Sequence, residues 1–265
     1  MPIELERRQS FDAVAQDYLM HRPGYPEEMV DDIVAYSRIP PRGAVLEIGA
    51  GPGQATAPFA ARGFRMTCVE LGARLAQVLR ERFAHLGNVT VVNAAFEDWD
   101  ASGHAFDLAV SGSAFHWIDP VVGLPKVARA LVAEGTLALF WNHHLPADMD
   151  LYARMREVCR RCAPGRWERR MDENPAARME EKVARRRAGI DACGLFSPLE
   201  IRRYPWNASY DTTQYLELIS TYSDHITMEA ETRARLITEL ARVIDAAGGR
   251  VARDYCTTLF LARRL

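Results

Sequence analysis

The chain has 265 residues, 48% of them hydrophobic and 26% charged, with a formal net charge of −2. That length suits one large domain, or one domain with a cap, and the composition is that of an ordinary globular protein. A balance so near neutral gives no general pull toward nucleic acid or anionic membrane. No run approaches the roughly 18 apolar residues of a spanning helix. The opening "MPIELERRQS" also lacks the apolar stretch of a secretory signal, so a cytoplasmic location is expected.

Residues 11–38, "FDAVAQDYLMHRPGYPEEMVDDIVAYSR", predict helix, turn, helix, with "RPGYP" as the breaker because proline and glycine cannot continue the helix. "AVLEI" (44–48) predicts a strand closed by glycine, and "GQATAPFAARG" a helix stopped by Gly63. "RMTCVEL" (65–71) is a second strand, followed by a helix over 72–84 with Leu75, Val78 and Leu79 at helical spacing. "NVTVVNA" (88–94) and "AFDLAVSGS" (105–113) are the third and fourth strands. Asp119-Pro120 opens a helix ending near Gly135, and "TLALFWN" is the fifth strand. Residues 148–194 are helical, basic and without strands. "LEIRRYPW" (199–206) and "ARDYCTTLFLARR" (252–264) are two more strands, with helices over 211–222 and 229–247 between them.

Strands alternating with helices at this spacing specify βαβ units and a doubly wound parallel sheet. Right-handed crossovers cover both faces, which is why the strands are nearly all apolar. One domain over 1–265 is expected: lid helices at 1–40, a binding core at 41–145, a helical insertion at 146–195, and strands and helices completing the sheet at 196–265.

The five cysteines at 68, 159, 162, 193 and 256 are odd in number and dispersed, which argues against a disulfide framework. Cys159 and Cys162 form a CxxC, but it lies within a helical stretch and has no second pair, so two packed helix residues are the better reading than zinc.

In an open parallel sheet, ligands bind beyond the carboxyl ends of strands where the order reverses. "VLEIGAGPGQAT" puts Gly49, Gly51 and Gly53 there, where glycine permits positive φ and close approach to the backbone. The pattern is G-x-G-x-G. It is neither the G-x-G-x-x-G of nicotinamide dinucleotides nor a P-loop, which needs Gly-Lys-Ser/Thr. Glu70, at the end of "CVEL", follows the glycines by about twenty residues, where a carboxylate can accept from two ribose hydroxyls. The third strand leads into "NAAFEDW" and the fourth into "SGSAFHW".

In that order and spacing, "VLEIGAGPG", "VEL", "AAFEDW" and "FDLAVSGSAFHWIDP" resemble the class I S-adenosylmethionine-dependent methyltransferases. The opening "FDAVAQDYLMHRPGYP" is similar to the lid of their small-molecule branch, the group akin to trans-aconitate methyltransferase. The resemblance is specific over about residues 11–142 and implies a Rossmann-like seven-stranded sheet whose last strand is antiparallel. It further implies S-adenosylmethionine as cofactor and a small-molecule methyl acceptor. Carried over, it sets Glu47, Gly49, Gly51 and Gly53 against the methionine part, Glu70 on the ribose and Leu71 beside the adenine. Ala95 and Phe96 would lie at the adenine edge and Ser111 near the amino group. Tyr18 and Arg22 would close over the cofactor, Arg22 on its carboxylate. Many relatives carry an acid where this chain has Ala95, so the contact to the adenine amino group falls to Glu97, to water, or to nothing.

Methyl transfer from a sulfonium is an in-line displacement, so the protein mainly aligns the partners and excludes water. His116 is the candidate general base; the alternative is that His116 and Trp117 form an aromatic wall. His143, His144, Asp148 and Asp150 follow the fifth strand, but adjacent histidines point apart on extended backbone, and no metal is expected. The rival reading is a non-catalytic binding module or an RNA-directed subunit. Its support is the segment 151–190, with 12 Lys+Arg against 6 Asp+Glu, although interspersed acids suggest a solvated face. On the small-molecule reading the same segment supplies the acceptor pocket's charge, through Arg166, Arg169 and Arg170 around Trp167, and the acceptor is acidic or aromatic. No nucleic-acid or membrane partner is expected, and the oligomeric state stays open.

Overall fold

The computed structural model describes residues 8, 10–166 and 174–265. A 3-10 turn at Phe11–Val14 leads into α1 (Ala15–His21) and α2 (Glu27–Ser37). The core runs β1 (Ala44–Ile48), α3 (Thr56–Ala61), β2 (Arg65–Glu70), α4 (Ala73–Phe83), β3 (Val89–Asn93), β4 (Phe106–Gly112), α5 (Pro120–Ala130) and β5 (Leu131–Pro146). There follow α6 (Met149–Cys162), α7 (Pro175–Asp191), β6 (Glu200–Asp211), α8 (Thr212–Ser220), α9 (Ser223–Ile226), α10 (Ala230–Asp245) and β7 (Arg250–Arg263).

The strands form one seven-stranded sheet in the order β3-β2-β1-β4-β5-β7-β6. β7 runs antiparallel to both of its neighbours and the first five strands are mutually parallel. The order reverses between β1 and β4, which opens a crevice at their carboxyl ends. Two apolar layers bury the sheet. One packs α5 and α7 on it through Leu124, Val127, Val183 and Ile190. The other packs α2, α3 and α4 through Met29, Ile33, Phe59 and Leu79.

Three boundaries differ from the sequence reading. α5 stops at Ala130 instead of running on toward Gly135, because Leu131 has already turned to extended backbone and pairs with Phe106. β5 is correspondingly longer than 136–142. Its far end pairs His143, His144, Leu145 and Pro146 with Cys256, Tyr255, Asp254 and Arg253 of β7, so an antiparallel ladder carries the strand beyond the parallel sheet's edge. β6 likewise continues to Asp211 along β7.

The insertion divides between two cores. α7, capped by Asn174 accepting from the Ala176 N–H at 2.9 Å, joins the main core. α6 instead packs with α8 and α10, where Leu151, Met155, Val158 and Cys162 meet Tyr215, Ile219, Leu236 and Leu240. Periodicity alone pairs no helix with another, so α6's true partners were invisible in the sequence. Cys159 and Cys162 are packed residues of α6, and all five thiols are free. Among the described residues, no helix is long and apolar enough to cross a membrane.

Candidate functional site

The carboxyl ends of β1, β2, β4 and β5, the lid and the α6–α7 segment enclose one cavity of about 570 Å³. Its floor is the β1–α3 loop. Gly49, Gly51 and Gly53 have φ of 68°, 56° and 95°, a conformation costly for any residue with a Cβ. Their surroundings differ. A Cβ on Gly49 would lie 2.5 Å from Ala114 Cβ, and one on Gly53 would lie 2.5 Å from the Phe83 ring and 2.6 Å from Leu79. A Cβ on Gly51 would meet nothing within 4 Å. Gly49 and Gly51 line the cavity and Gly53 does not. The expectation that Gly53 faces the ligand is therefore corrected: it is bare because α4 packs on it.

Glu47 lies beneath this loop, 1% exposed, and accepts from Thr56 Oγ1 at 2.6 Å. Burial pushes its carboxyl up to about 7. Glu70 ends β2, where its Oε2 accepts from the Gly51 N–H and its Oε1 from the Gly72 N–H, both at 2.8 Å. Burial raises it too, with these two N–H donors opposing. Each oxygen keeps a second lone pair for a ligand hydroxyl. Asn93 donates to the Glu70 and Leu71 carbonyls at 2.9 Å, which fixes the strand end. Leu71 and Phe96 line the cavity beside Glu70.

Ala95 is not at the cavity wall; its carbonyl accepts from the Asp98 and Trp99 N–H groups in a tight turn, and Ala94 lines the cavity instead. Glu97 cannot readily replace the missing acid, since Arg8 holds its carboxylate at 2.7 and 3.0 Å. Ser111 is a further correction: it is fully buried and donates to the Ile48 carbonyl at 2.7 Å, tying β4 to β1. Two residues on, Ser113, with φ 56°, does line the cavity and accepts from the Tyr25 hydroxyl at 3.2 Å.

The lid residues Phe11, Tyr18, Arg22 and Tyr25 all line the cavity. Gln54 donates to the Tyr18 carbonyl at 3.0 Å, and Asp12 accepts from the Arg74 and Leu75 N–H groups at the start of α4. Arg22 is less available for a cofactor carboxylate than its sequence position suggested. Its Nε donates to Thr221 Oγ1 at 2.8 Å and its Nη2 to the Thr221 carbonyl at 2.9 Å. Its guanidinium also lies over the rings of Tyr18 and Tyr222.

His116 lines the cavity, and its Nδ1 accepts the Trp141 indole N–H at 3.1 Å. The surrounding protein, then the cations Arg186, Lys182 and Arg185, hold its pKa down to about 3. A neutral imidazole that accepts at Nδ1 carries its proton on Nε2. His116 thus offers a hydrogen-bond donor where a base was expected. His143 meets Arg186 Nη1 at 3.3 Å, while His144 stacks on Tyr222 with centroids 5.8 Å apart. The two histidines serve different faces of β5, and Asp148 caps α6 by accepting from the Leu151 N–H.

Beyond His116 the cavity wall turns basic and aromatic, with Trp141, Tyr222, Arg178, Lys182, Arg186 and Arg253. Arg186 lies 3.9 Å from the Trp141 ring centroid, and burial lowers it to about 10. The basic segment therefore reaches the cavity through α7. Arg166 does not line the cavity: it is exposed and donates to the Asp224 carbonyl and to Thr227 Oγ1. Trp167, Arg169 and Arg170 lie outside the described residues. Sequence reasoning missed Tyr25, Ser113, Arg186 and Arg253. The first two sat within quoted motifs, "RPGYP" and "SGSAFHW"; the arginines carried no local signal.

Residues 45–135 match the family described as "Methyltransferase domain". An uncharacterised methyltransferase of Mycobacterium bovis is 32% identical over 134 residues, covering 50% of this chain and 52% of that relative. The match thus spans about half the length of this curated relative. An inferred type II methyltransferase from Anaeromyxobacter dehalogenans superposes with a TM-score of 0.63 at 21% identity, covering 91% of this chain and 97% of that one. A methyltransferase from Thiobacillus denitrificans in complex with S-adenosylhomocysteine superposes at 0.51 with 16% identity, covering 92% and 94%. Residues 45–135 thus match a methyltransferase domain, and the seven-stranded sheet around them has the fold of the superposed methyltransferases.

Proposed function

We propose that this protein transfers the methyl group of S-adenosylmethionine to a small acidic or aromatic acceptor held in the basic half of the same cavity. The observation that carries the reading is continuity: one cavity runs from the Glu70–Gly51 cradle to the wall of Trp141, Arg186 and Arg253. The cofactor fits the residues present. Glu70 retains lone pairs for ribose hydroxyls, Gly51 bares its backbone, and Leu71 and Phe96 offer apolar faces for a planar base.

When bound, the sulfonium supplies an already activated methyl group. The chain's own work is then alignment and exclusion of water. Phe11, Tyr18 and Tyr25 roof the cavity from the lid side. His116 donates from Nε2 and orients an acceptor oxygen or nitrogen, and the cations of α7 favour an anionic acceptor. With His116 neutral and protonated at Nε2, the acceptor atom must be one that attacks without losing a proton to it.

The test is release of S-adenosylhomocysteine when the protein is incubated with S-adenosylmethionine and matched pairs of small carboxylic acids and their amides. Turnover confined to acids supports the reading. Turnover on amides alone, or methylation of RNA in place of every small molecule, overturns it.

A further inference from the structure

Arg253 lies on β7, in register with Pro146 at the end of β5, and is only 8% exposed. Its Nη1 donates to the Tyr222 hydroxyl at 2.9 Å and its Nη2 to the Tyr215 hydroxyl at 2.6 Å. Its guanidinium also lies 4.7 Å from the Tyr215 ring centroid. No carboxylate among the described residues pairs with it. That is unusual, because a buried cation is normally matched by an acid. Two tyrosine hydroxyls satisfy two N–H groups and leave the charge itself uncompensated. The other donors of a guanidinium form the fork that suits a carboxylate.

The surroundings make the arrangement specific. Arg253, Tyr215, Tyr222, Tyr255 and His144 all line the cavity. Tyr255 is pinned by Trp206, stacked at 4.0 Å, and His144 by Tyr222. Tyr215 belongs to the small core of α6, α8 and α10, so the fork is held by side chains that are themselves packed. Such a group loses little entropy on gaining an anion. Arg186, another arginine of the cavity wall, lies instead against Trp141 and His143 on α7's side of β5.

We propose that Arg253, held by Tyr215 and Tyr222, is the anchor for a carboxylate of the methyl acceptor and determines which acceptors bind. The proposal rests on the acceptor half of the cavity assigned above. It narrows the acceptor to a small carboxylate and separates the anchoring residue from the arginines of the insertion. A carboxylate gripped there has its charge neutralised and its lone pairs engaged, so the methyl group goes to another atom of the acceptor.

The experiment uses the full chain saturated with S-adenosylhomocysteine and titrates benzoate and succinate against their amides by calorimetry. The wild type should prefer the acids at least tenfold. Arg253→Met should abolish that preference, Arg253→Lys should keep part of it, and both should bind S-adenosylhomocysteine as the wild type does. An acid preference that survives in Arg253→Met, or a wild type indifferent between acid and amide, overturns the proposal. Should Arg253→Met fail to fold, a crystal of the wild type soaked with benzoate decides. A carboxylate on Arg253 supports the anchor, while one on Arg186, or none in the cavity, overturns it. Failure of the wild type to bind S-adenosylhomocysteine would count against the methyltransferase reading alone, because the same acid and amide titrations are also run without it, where loss of the acid preference overturns the anchor.

Discussion

Trp141 donates its indole N–H to Nδ1 of His116 at 3.1 Å, and this bond fixes what the histidine offers the cavity. With the pKa held down to about 3, His116 is neutral through the physiological range and its Nε2 is a donor. Two outcomes follow. The pH–rate profile should show no histidine inflection between about pH 5.5 and 8. His116→Gln, which restores an N–H donor, should retain most activity, whereas His116→Ala should lose roughly tenfold to a hundredfold, the worth of one good hydrogen bond. An inflection near the ordinary histidine value, lost in both variants, would return the residue to the role of base.

Glu47 gives a stability signature of the opposite sign to the usual acidic residue. Its carboxyl rises from 4.5 to about 7 because it is buried under the glycine loop. A raised folded-state pKa means the native state holds a proton that the unfolded chain releases. The contribution is complete below about pH 4.5 and is lost as the pH climbs through about 7. Glu47→Gln keeps a neutral, isosteric group and removes the titration. The stability of the wild type relative to this variant should therefore fall by about 3 kcal/mol between pH 4.5 and 8. Urea unfolding of both proteins at the two pH values measures it, and parallel pH curves would rule the protonated carboxyl out.

Much of this architecture was legible because it is local. The first four strands are short runs between glycine and helix signals, and the quoted motifs sit at their ends. What escaped was long-range. The extension of β5 to Pro146 depends on β7, more than a hundred residues away, and so does the position of Arg253. The roles of Gly53 and Ser111 were misassigned for the same reason. Both occupy motif positions, but Phe83 of α4 and the carbonyl of Ile48 decide where they face. Gly49 and Gly51 do line the cavity with positive φ, since strand end and glycine together specify an open loop.

Glu70 should prove the strongest single determinant of cofactor affinity. Its two oxygens already accept from Gly51 and Gly72, so its position is set before any ligand arrives. On the proposed ribose role, Glu70→Ala removes two acceptors from the ligand as well as the bonds to Gly51 and Gly72 that anchor the loop. S-adenosylhomocysteine binding should weaken by roughly 1–3 kcal/mol, as calorimetry would register. An unchanged dissociation constant would remove Glu70 from the ribose site.

The lid makes a separate prediction about motion. Residues 11–26 are joined to the core by a small apolar cluster of Phe11, Ala15 and Leu19 on Leu75 and Val78, by Tyr25 on Phe140, and by a few polar contacts, among them Gln54 to the Tyr18 carbonyl and Arg22 to Thr221. Such a segment opens at low cost, as exchange of a cofactor requires. Amide hydrogen exchange there should slow when S-adenosylhomocysteine is added, while β1 and β4 stay protected throughout. Gln54→Ala should speed lid exchange without changing the melting temperature by more than a few degrees. Identical lid exchange with and without the ligand would show that the segment is not a lid.

The three glycines that open the site should separate cleanly when each is replaced by alanine. All three hold positive φ, so each variant bears a backbone penalty of roughly 1–2 kcal/mol. Gly53→Ala adds an overlap with the Phe83 ring and Leu79, packed side chains that can move aside only by loosening α4. Its effect should fall on stability, several degrees beyond that of Gly51→Ala, with cofactor affinity little changed in the molecules that remain folded. Gly51→Ala has open space around the new methyl group, but that space is the cavity itself, and the residue's N–H holds Glu70. Its effect should fall on binding, tenfold or more, at a modest loss of melting temperature. Gly49→Ala, which meets Ala114 Cβ and also lines the cavity, should lose both. Melting curves and calorimetric titrations on the three purified variants test the order. Weaker binding in Gly53→Ala at full stability would mean that its bare backbone faces the ligand after all.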